Sequence, residues 1–408
     1  MLIRRLLLSA VLLAVSTASW AKKVDLDYQV RFLPQSGQAE VSLTLEDGSQ
    51  VKSLSFNLGE QGAYSDFATN GKWNLSNPQQ GVWQPAAGKS SLSYKVRINH
   101  ERAPGRFDAR ITPDWALLRG DDLVPAAKLN QLDKTELVAR LQFVLPEDWK
   151  SVETGWPRIG KNKFRIDNPQ RHFDRPTGWI VAGKVGTRRA KLGETAVAVA
   201  APVGEGMRRM DVLTLLTFIW PHAQAVFPRD PEKLLIVGAG DPMWRGGLSA
   251  TNSYYMQSSR PLVSENGTSS LVHELVHVFS RFSAKDKSDW ITEGVAEYYA
   301  IELMRRAGGL GEDRYQKVRE QLIKWSKPVK SLRTDHSTGP VTARAVLLLQ
   351  ELDREIRAAT KDSTQPRSLD DVARGLMRLD KVSTKDLVEI SENVMGRASK
   401  VLDNKLLR

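Results

Sequence analysis

Apolar residues recur at every second position through much of the first half of the chain. The series at residues 24–32, 41–45 and 92–98 show this period, and polar stretches rich in Gly, Asn and Ser separate them. Side chains alternate between the two faces of a β-strand, so the period predicts strands with one buried and one hydrated face. We therefore predict an antiparallel β domain at residues 22–200.

Beyond a segment at residues 201–206 that contains Pro and Gly, the apolar residues follow the period of α-helices. Helices are predicted at residues 210–227, 269–282, 290–306, 312–325, 341–359 and 369–379. A buried strand is expected at residues 234–237 and an edge strand at residues 252–256. The whole pattern predicts an α+β protein whose second domain, at residues 201–408, is mostly helical.

The first 21 residues have the order of a secretory signal. Arg4 and Arg5 precede an apolar run, and small residues lead to Ala21. The apolar run is short for a bilayer span, so we expect cleavage after Ala21 and no transmembrane anchor in the mature protein. The predicted location is the periplasm of a bacterial cell or the medium outside it. Cleavage would lower the formal net charge from +12 to +10 by removing two arginines.

Composition narrows the remaining classes of protein. With 408 residues, 41% of them hydrophobic, the chain is large enough for more than one globular domain. It has no cysteine, which excludes disulfides, thiol chemistry and a lipoprotein anchor. The positive charge suits contact with an anionic envelope surface. Basic residues are not clustered with aromatics, so nucleic-acid binding is not predicted.

The predicted helix at residues 269–282 carries a metal-binding pattern. His273 and His277 are four residues apart, so their imidazoles lie on one face and can hold one Zn²⁺ ion. Glu274 lies about 100° further around the helix, beside the open coordination position. There it can act as a general base on a water molecule whose pKa zinc lowers to about 7.

The next predicted helix offers a third ligand. Ser288 or Asp289 can cap it, and a short loop would bring it back beside the histidines. Glu293 and Glu297 are four residues apart and share a face. Either can bind the ion, while the other accepts a hydrogen bond from a ligand histidine.

The run HELVH at residues 273–277, followed by WITEGVA at residues 290–296, resembles the gluzincin metallopeptidases, in particular their glycyl aminopeptidase and aminopeptidase N branches. The resemblance extends over about residues 205–380. It implies a thermolysin-like catalytic domain, zinc as cofactor, Glu293 as the third ligand and Glu297 as its supporting residue. The chain ends without the PDZ module that is common in glycyl aminopeptidases.

The segment before the zinc motif is similar to the G-G-L-E-H-x-x-S segment of glycyl aminopeptidases. The similarity implies substrate-binding roles for Gly246, Gly247, Leu248, Ser249 and Asn252. Ser249 and Ala250 stand where that family has a glutamate and a histidine, so the carboxylate that would hold a free substrate amine is missing. Strand addition at residues 248–256 remains a means of binding a peptide backbone.

A second departure affects the oxyanion. Thr342 stands where the family has a tyrosine whose hydroxyl stabilises the developing negative charge, and losing one such donor typically costs about 10²- to 10³-fold in rate. His336 is the first substitute that we predict as a catalytic residue. Tyr254 and Tyr255 are the next candidates.

Two functions follow from these residues. The first is an exported zinc metallopeptidase that cuts peptide or protein substrates in the cell envelope, with Glu274 as general base. The pattern leaves open whether it cuts internally or from the amino end. The alternative is a zinc-binding pseudopeptidase that acts as a periplasmic binding or interaction protein, which the two missing groups favour.

Overall fold

The computed structural model describes residues 22–167 and 173–408. The secretory signal predicted at residues 1–21 lies outside the described residues. Among the helices of the described ranges, none is both long and apolar enough to cross a membrane.

Strands and one short helix, α1 (Gly120–Leu123), make up the N-terminal half. The strands are β1 (Lys22–Leu33), β2 (Gln38–Leu45), β3 (Val51–Asn57), β4 (Tyr64–Thr69), β5 (Lys72–Asn77), β6 (Gln80–Gln84), β7 (Ser90–Arg97), β8 (His100–Ala103), β9 (Arg106–Ile111), β10 (Trp115–Arg119), β11 (Ala127–Gln131), β12 (Thr135–Val144), β13 (Ser151–Thr154), β14 (Arg158–Gly160), β15 (Lys163–Ile166) and β16 (Trp179–Gly183).

These strands form sheets in the orders β14-β15-β12-β1-β2-β7-β4, β11-β3-β6-β5 and β13-β16-β10-β9-β8. The alternating series predicted from sequence are β1, β2 and β7, whose apolar residues point into one shared core with Trp83 and Ile180. The predicted antiparallel pairing is confirmed for most strands. The exception is β1 with β12, which run parallel from Lys22↔Thr135 onward.

The C-terminal half contains β17 (Val185–Leu192), β18 (Thr195–Pro202), α2 (Arg209–Val226), β19 (Lys233–Ala239), β20 (Gly247–Ala250), β21 (Ser253–Gln257), α3 (Ser270–Ser280), β22 (Ser283–Ala284), α4 (Asp289–Arg306), α5 (Glu312–Ser326), α6 (Gly339–Thr360), α7 (Leu369–Leu376), β23 (Lys381–Val382) and α8 (Thr384–Met395). Each predicted helix is present within a few residues of its expected ends. Helix α8 was not predicted, although the capping box of Ser383 and Asp386 marks its start.

The sheet of this half has the order β17-β18-β19-β21-β20. β18, β19 and β21 are parallel, and β20 pairs antiparallel with β21. The predicted edge strand at residues 252–256 was therefore wrong, because Asn252 adopts a positive φ of 49° in a tight turn and β20 folds back over β21 as the true edge. This sheet also extends across the predicted domain boundary at residue 200, because its strand β18 runs to Pro202.

Both faces of this sheet are covered. Tyr254 and its alternate neighbours pack on the helices, whereas Tyr255 and its neighbours pack on Trp179 and the β16-β10 sheet of the N-terminal half. The molecule is thus layered as N-terminal sheets, central sheet and helices. Edge strand β20 is left with an unpaired side, next to helix α3.

Candidate active site

Helix α3 begins and ends with well-defined caps. The Ser269 hydroxyl accepts the backbone N–H of Val272 at 3.3 Å, and Arg281 closes the helix in the left-handed conformation with φ 59°. Between the caps, His273 and His277 lie on the same side of the helix, half-buried, with their rings 4.9 Å apart. The predicted pairing of the two imidazoles is present in the structure.

Helix α4 packs against α3 and brings Glu293 to both histidines. Glu293 Oε2 lies 3.2 Å from His273 Nε2, and Glu293 Oε1 lies 3.4 Å from His277 Nε2. The two Nε2 atoms are themselves 3.2 Å apart. In the described residues these three side chains form a cluster that could hold a metal ion.

These distances fit zinc. Ligand atoms placed tetrahedrally about 2.0–2.1 Å from Zn²⁺ are separated from each other by about 3.3–3.4 Å. The two Nε2 atoms are 3.2 Å apart, close to that separation, and the Glu293 carboxylate offers a different oxygen to each histidine, at 3.2 and 3.4 Å. Two imidazoles with one carboxylate are donors that zinc prefers. The fourth side carries no protein ligand in this cluster, as a catalytic site requires.

Glu297 lies one turn beyond Glu293 and contacts the other side of the His273 ring. Its Oε2 is 2.9 Å from Nδ1 of His273, so this carboxylate accepts a hydrogen bond from the Nδ1–H group. Nε2 of the same ring is left directed at the cluster. The structure therefore brings Glu293 to the Nε2 atoms of both histidines and Glu297 to Nδ1 of His273. Their roles as metal ligand and supporting residue stay predictions.

The carboxylates make this cluster attractive to a cation. Burial lowers the pKa of His273, but hydrogen bonds to Glu293 and Glu297 outweigh burial and raise the pKa to about 10. Burial likewise raises the pKa of Glu293, and its contacts with His273 and His277 reverse that effect and hold the pKa well below its usual range. Negative charge in excess of the imidazoles favours a bound cation.

Glu274 is half-buried beside His273, on the part of α3 that faces β20 and β21. Its negative charge contributes to the raised pKa of His273 and, after burial, to the raised pKa of Tyr254. It is therefore close enough to His273 and to Tyr254 for its charge to act on both side chains. Its role as general base stays a prediction. No metal-ligand distance is formed by Glu274 in the described cluster.

The two tyrosine candidates for the oxyanion point to opposite faces of β21. Tyr255 faces the N-terminal half and donates its hydroxyl to the Trp244 carbonyl at 2.8 Å. Tyr254 faces α3 but is only 1% exposed, and its hydroxyl lies beneath the edge strand. A Cβ added at Gly247 would be 2.1 Å from that hydroxyl, so a glycine is needed at this position. Neither tyrosine has an open path to a substrate.

Thr342 and His336 both lie near the N-terminal end of α4. The Ser337 backbone N–H donates to the Asp289 carboxylate at 2.6 Å. Further along α4, Gly294 packs against Ala345 of α6. Thr342 lies in the first turn of α6, between Ser337 and Ala345 along the chain, and its backbone N–H donates to the Thr338 carbonyl at 2.9 Å. His336 is exposed in the loop before α6. Its role as a catalytic donor stays a prediction.

A cleft of about 540 Å³ opens beside His277. Its wall combines residues from β20 and the turn after it, from the end of α3, from the loop before β19 and from the N-terminal half: Trp156, Pro157, Asp167, Arg229, Asp230, Glu232, Ser249, Ala250, Thr251, Asn252, His277, Val278 and Arg281. Of the residues predicted to bind substrate, Ser249 and Asn252 line this cleft, whereas Gly246, Gly247 and Leu248 are not among its lining residues. The sequence contains no sign of the residues of the N-terminal half or of both arginines, because no local pattern connects them to the zinc motif.

The edge strand presents backbone groups along this cleft. The Gln257 N–H donates to the Gly246 carbonyl at 3.2 Å, so hydrogen-bonded pairs with β21 alternate and fall at Gly246 and Leu248. The N–H and C=O groups of Gly247 and Ser249 consequently point away from β21, to the open side. Trp179 of the N-terminal half holds the strand by donating its indole N–H to the Leu248 carbonyl at 2.9 Å.

A scan against protein-family models finds no match, and neither does a search of curated proteins. Solved structures do match. An aminopeptidase N family protein from Idiomarina loihiensis has a TM-score of 0.67 at 15% identity, covering 92% of this chain and 72% of its own. An M1 zinc metallopeptidase from Deinococcus radiodurans has a TM-score of 0.60 at 16% identity, covering 95% and 94%. A mutant of the latter, bound to a Tyr-Ser-Ala substrate, has a TM-score of 0.62 at 16% identity.

These neighbours share the two-part architecture of this chain. The predicted α+β fold, with a β-rich N-terminal half and a mostly helical second half, is therefore confirmed. So is the resemblance to the aminopeptidase N branch, because the structural neighbours are aminopeptidase N family and M1 zinc metallopeptidases. At 15–16% identity the likeness concerns the fold.

Proposed function

We propose, from a fold shared with the M1 zinc metallopeptidases, that this protein is an exported zinc-dependent peptidase. The observation that carries the proposal is the triangle of His273, His277 and Glu293, in which the two Nε2 atoms lie 3.2 Å apart and each lies within 3.4 Å of a Glu293 carboxylate oxygen. Two imidazoles and one carboxylate are a donor set that zinc prefers. A purely structural site would fill all four positions with side chains. The proposal places the protein in the periplasm or outside the cell, on the strength of residues 1–21.

Each residue of the site has a task in peptide hydrolysis. Zinc held by the triangle would lower the pKa of a bound water to about 7 and polarise the scissile carbonyl. Glu297 keeps the Nδ1 proton of His273 in place and so orients the ring. The Glu274 carboxylate accepts the proton that the attacking water loses and passes it to the leaving amine. Gly247 and Ser249 pair with the substrate backbone, which lies along β20 as an added strand.

The test uses purified protein from residue 22 onward, loaded with zinc and incubated with a mixed peptide library. We expect mass spectrometry to show cut peptides, with cutting abolished by a chelator. Glu274→Gln should reduce the rate about 10²- to 10⁴-fold, since general-base catalysis contributes that much. The substitution removes charge but little volume, so zinc content should equal that of the unchanged protein.

Glu265→Gln is the matched control, because Glu265 is an exposed glutamate in the loop before α3 and should leave the rate unchanged. Cutting that persists at full rate in Glu274→Gln would contradict the mechanism. A zinc-loaded protein that binds library peptides and cuts none would favour the alternative of a periplasmic binding protein.

A further inference from the structure

Arg281 occupies a backbone position that rarely holds arginine. It ends α3 with φ 59°, in the left-handed region where glycine or asparagine is the usual residue. The side chain starts one helical turn beyond His277 and lines the same cleft. A long cationic residue at a strained position next to a metal site points to a role that offsets the strain.

Arg229 adds a second positive charge to this part of the cleft. It belongs to the loop between α2 and β19, and its charge, together with partial burial, lowers the pKa of Arg281. Two guanidinium groups on the wall of one cleft repel each other, and an anion bound between them would relieve that repulsion. Within residues 22–167 and 173–408, neither side chain forms a salt bridge with a carboxylate.

Three acidic residues line the same cleft, and within the described residues none of them forms a salt bridge with Arg229 or Arg281. Glu232 is held by two hydrogen bonds from Arg165 at 2.8 and 2.9 Å. Asp230 accepts the Glu194 backbone N–H at 2.7 Å and the Gln224 amide at 2.8 Å. Asp167 is exposed on the wall that the N-terminal half provides. The wall beside His277 thus has two cationic groups that form no salt bridge with any carboxylate of residues 22–167 and 173–408.

The part of the cleft wall that β20 forms has no carboxylate. Its residues there are Ser249 and Ala250, which carry no charge. A positively charged amine would meet no partner on β20 and would approach two guanidinium groups. A negatively charged group would find five N–H donors on each of them, in the planar arrangement that matches a carboxylate.

We propose that Arg281 and Arg229 form a carboxylate-binding subsite, so that the cleft selects peptides with a free carboxylate close to the bond beside the zinc site. This inference deepens the proposed function. That such peptides are cut rests on the proposed peptidase activity, whereas their binding to the subsite does not. Two groups in a peptide have this chemistry: the C-terminal carboxylate and the side chain of Asp or Glu.

The experiment compares four short peptides of otherwise identical sequence. They end in an acid or an amide, and they carry Asp or Asn at one central position. Binding to zinc-loaded Glu274→Gln protein is measured by calorimetry, and kcat/KM is measured with the unchanged protein. We expect a carboxylate to tighten binding on the order of 10- to 100-fold, the usual effect of hydrogen bonds to charged groups. The acid and amide arms identify a C-terminal carboxylate, and the Asp and Asn arms identify a side chain.

Arg281→Asn should abolish the preference, because asparagine tolerates the left-handed backbone and carries no charge. Arg229→Gln, in a loop, provides a second variant whose folding does not depend on the helix cap. Arg333→Asn removes an exposed arginine from the loop before α6 and should keep the preference.

Equal binding of all four peptides, no binding of any, or a preference that survives in the Arg281→Asn/Arg229→Gln double variant would overturn the inference. A preference in binding without any hydrolysis by the unchanged protein would instead refute the proposed peptidase function and leave the subsite standing.

Discussion

At the scale of single residues, two glutamates of one helix differ in what they contact. Glu293 reaches the Nε2 atoms of both histidines, whereas Glu297 reaches Nδ1 of His273 alone. Spacing along the sequence allows both assignments, because residues four apart share a helix face. Which glutamate reaches which histidine atom depends on the position of α4 along α3, and the packing of the two helices sets that position.

Zinc affinity should rank the two glutamates. Glu297→Gln removes the acceptor that orients His273 and should weaken zinc binding about 10- to 100-fold. Glu293→Gln removes a charged ligand and should weaken it further. Competition titration against a chromophoric chelator measures both variants, and Glu320→Gln, an exposed glutamate of α5, serves as control. A larger loss for Glu297→Gln would reverse the assignment.

At the scale of elements, the position of Glu293 depends on the close approach of α4 to α6. A Cβ added at the neighbouring Gly294 would lie 2.7 Å from the Cβ of Ala345, nearer than such atoms come in real structures. Glycine inside a helix costs about 1 kcal/mol relative to alanine, so helix stability does not explain its presence. Gly294 allows the two backbones to pack closely and so keeps the neighbouring Glu293 beside the histidines.

Gly294→Val should therefore force α4 away from α6. We expect the free energy of unfolding to fall by about 1–3 kcal/mol through overpacking, and zinc affinity to fall because Glu293 moves. Ala345→Gly in the same chain should restore part of both quantities, since the two positions are in contact. Urea denaturation and zinc titration provide the measurements.

Gly311→Ala is the control for this pair. An added Cβ at Gly311 meets no atom within 4 Å, so stability and zinc affinity should stay close to those of the unchanged protein. If Gly294→Val binds zinc as tightly as the unchanged protein, the helix contact does not set the ligand position.

At the scale of the whole molecule, charges as well as sheets join the two halves. Glu153 of β13 is 1% exposed and pairs with Lys233 of β19 at 3.4 Å, with Arg158 at 3.1 Å and with Arg189. Burial lowers the pKa of Lys233, and the Glu153 carboxylate opposes this effect. A second pair across the halves, Arg165 with Glu232, is exposed to solvent.

These two pairs should differ strongly in energy. Glu153→Gln leaves the buried ammonium of Lys233 without its carboxylate. We therefore expect the free energy of unfolding to fall by about 3–5 kcal/mol. Glu232→Gln breaks an exposed pair and should cost about 1 kcal/mol or less. Guanidinium chloride denaturation compares the variants. Equal losses would show that the buried pair does not hold the halves together.

The sequence by itself determined the features that depend on neighbouring residues. The strand period of β1, β2 and β7, the helix ends, and the placement of His273, Glu274 and His277 on one helix follow from backbone geometry repeated over a few residues. The resemblance to gluzincins rests on the same short motifs. The missed helix α8 had a local signal too, in its capping box.

Only the tertiary structure decided what depends on contacts between distant residues. It made Gly247–Ala250 the edge strand and gave Glu293 and Glu297 different histidine atoms as partners. It buried Tyr254 and Tyr255, and it placed Arg229 where its charge lowers the pKa of Arg281. The physical reason is the same in each case. Sheet order and helix contacts are set by burial of apolar surface over the whole chain, and no periodicity within a few residues records which partner a surface will meet.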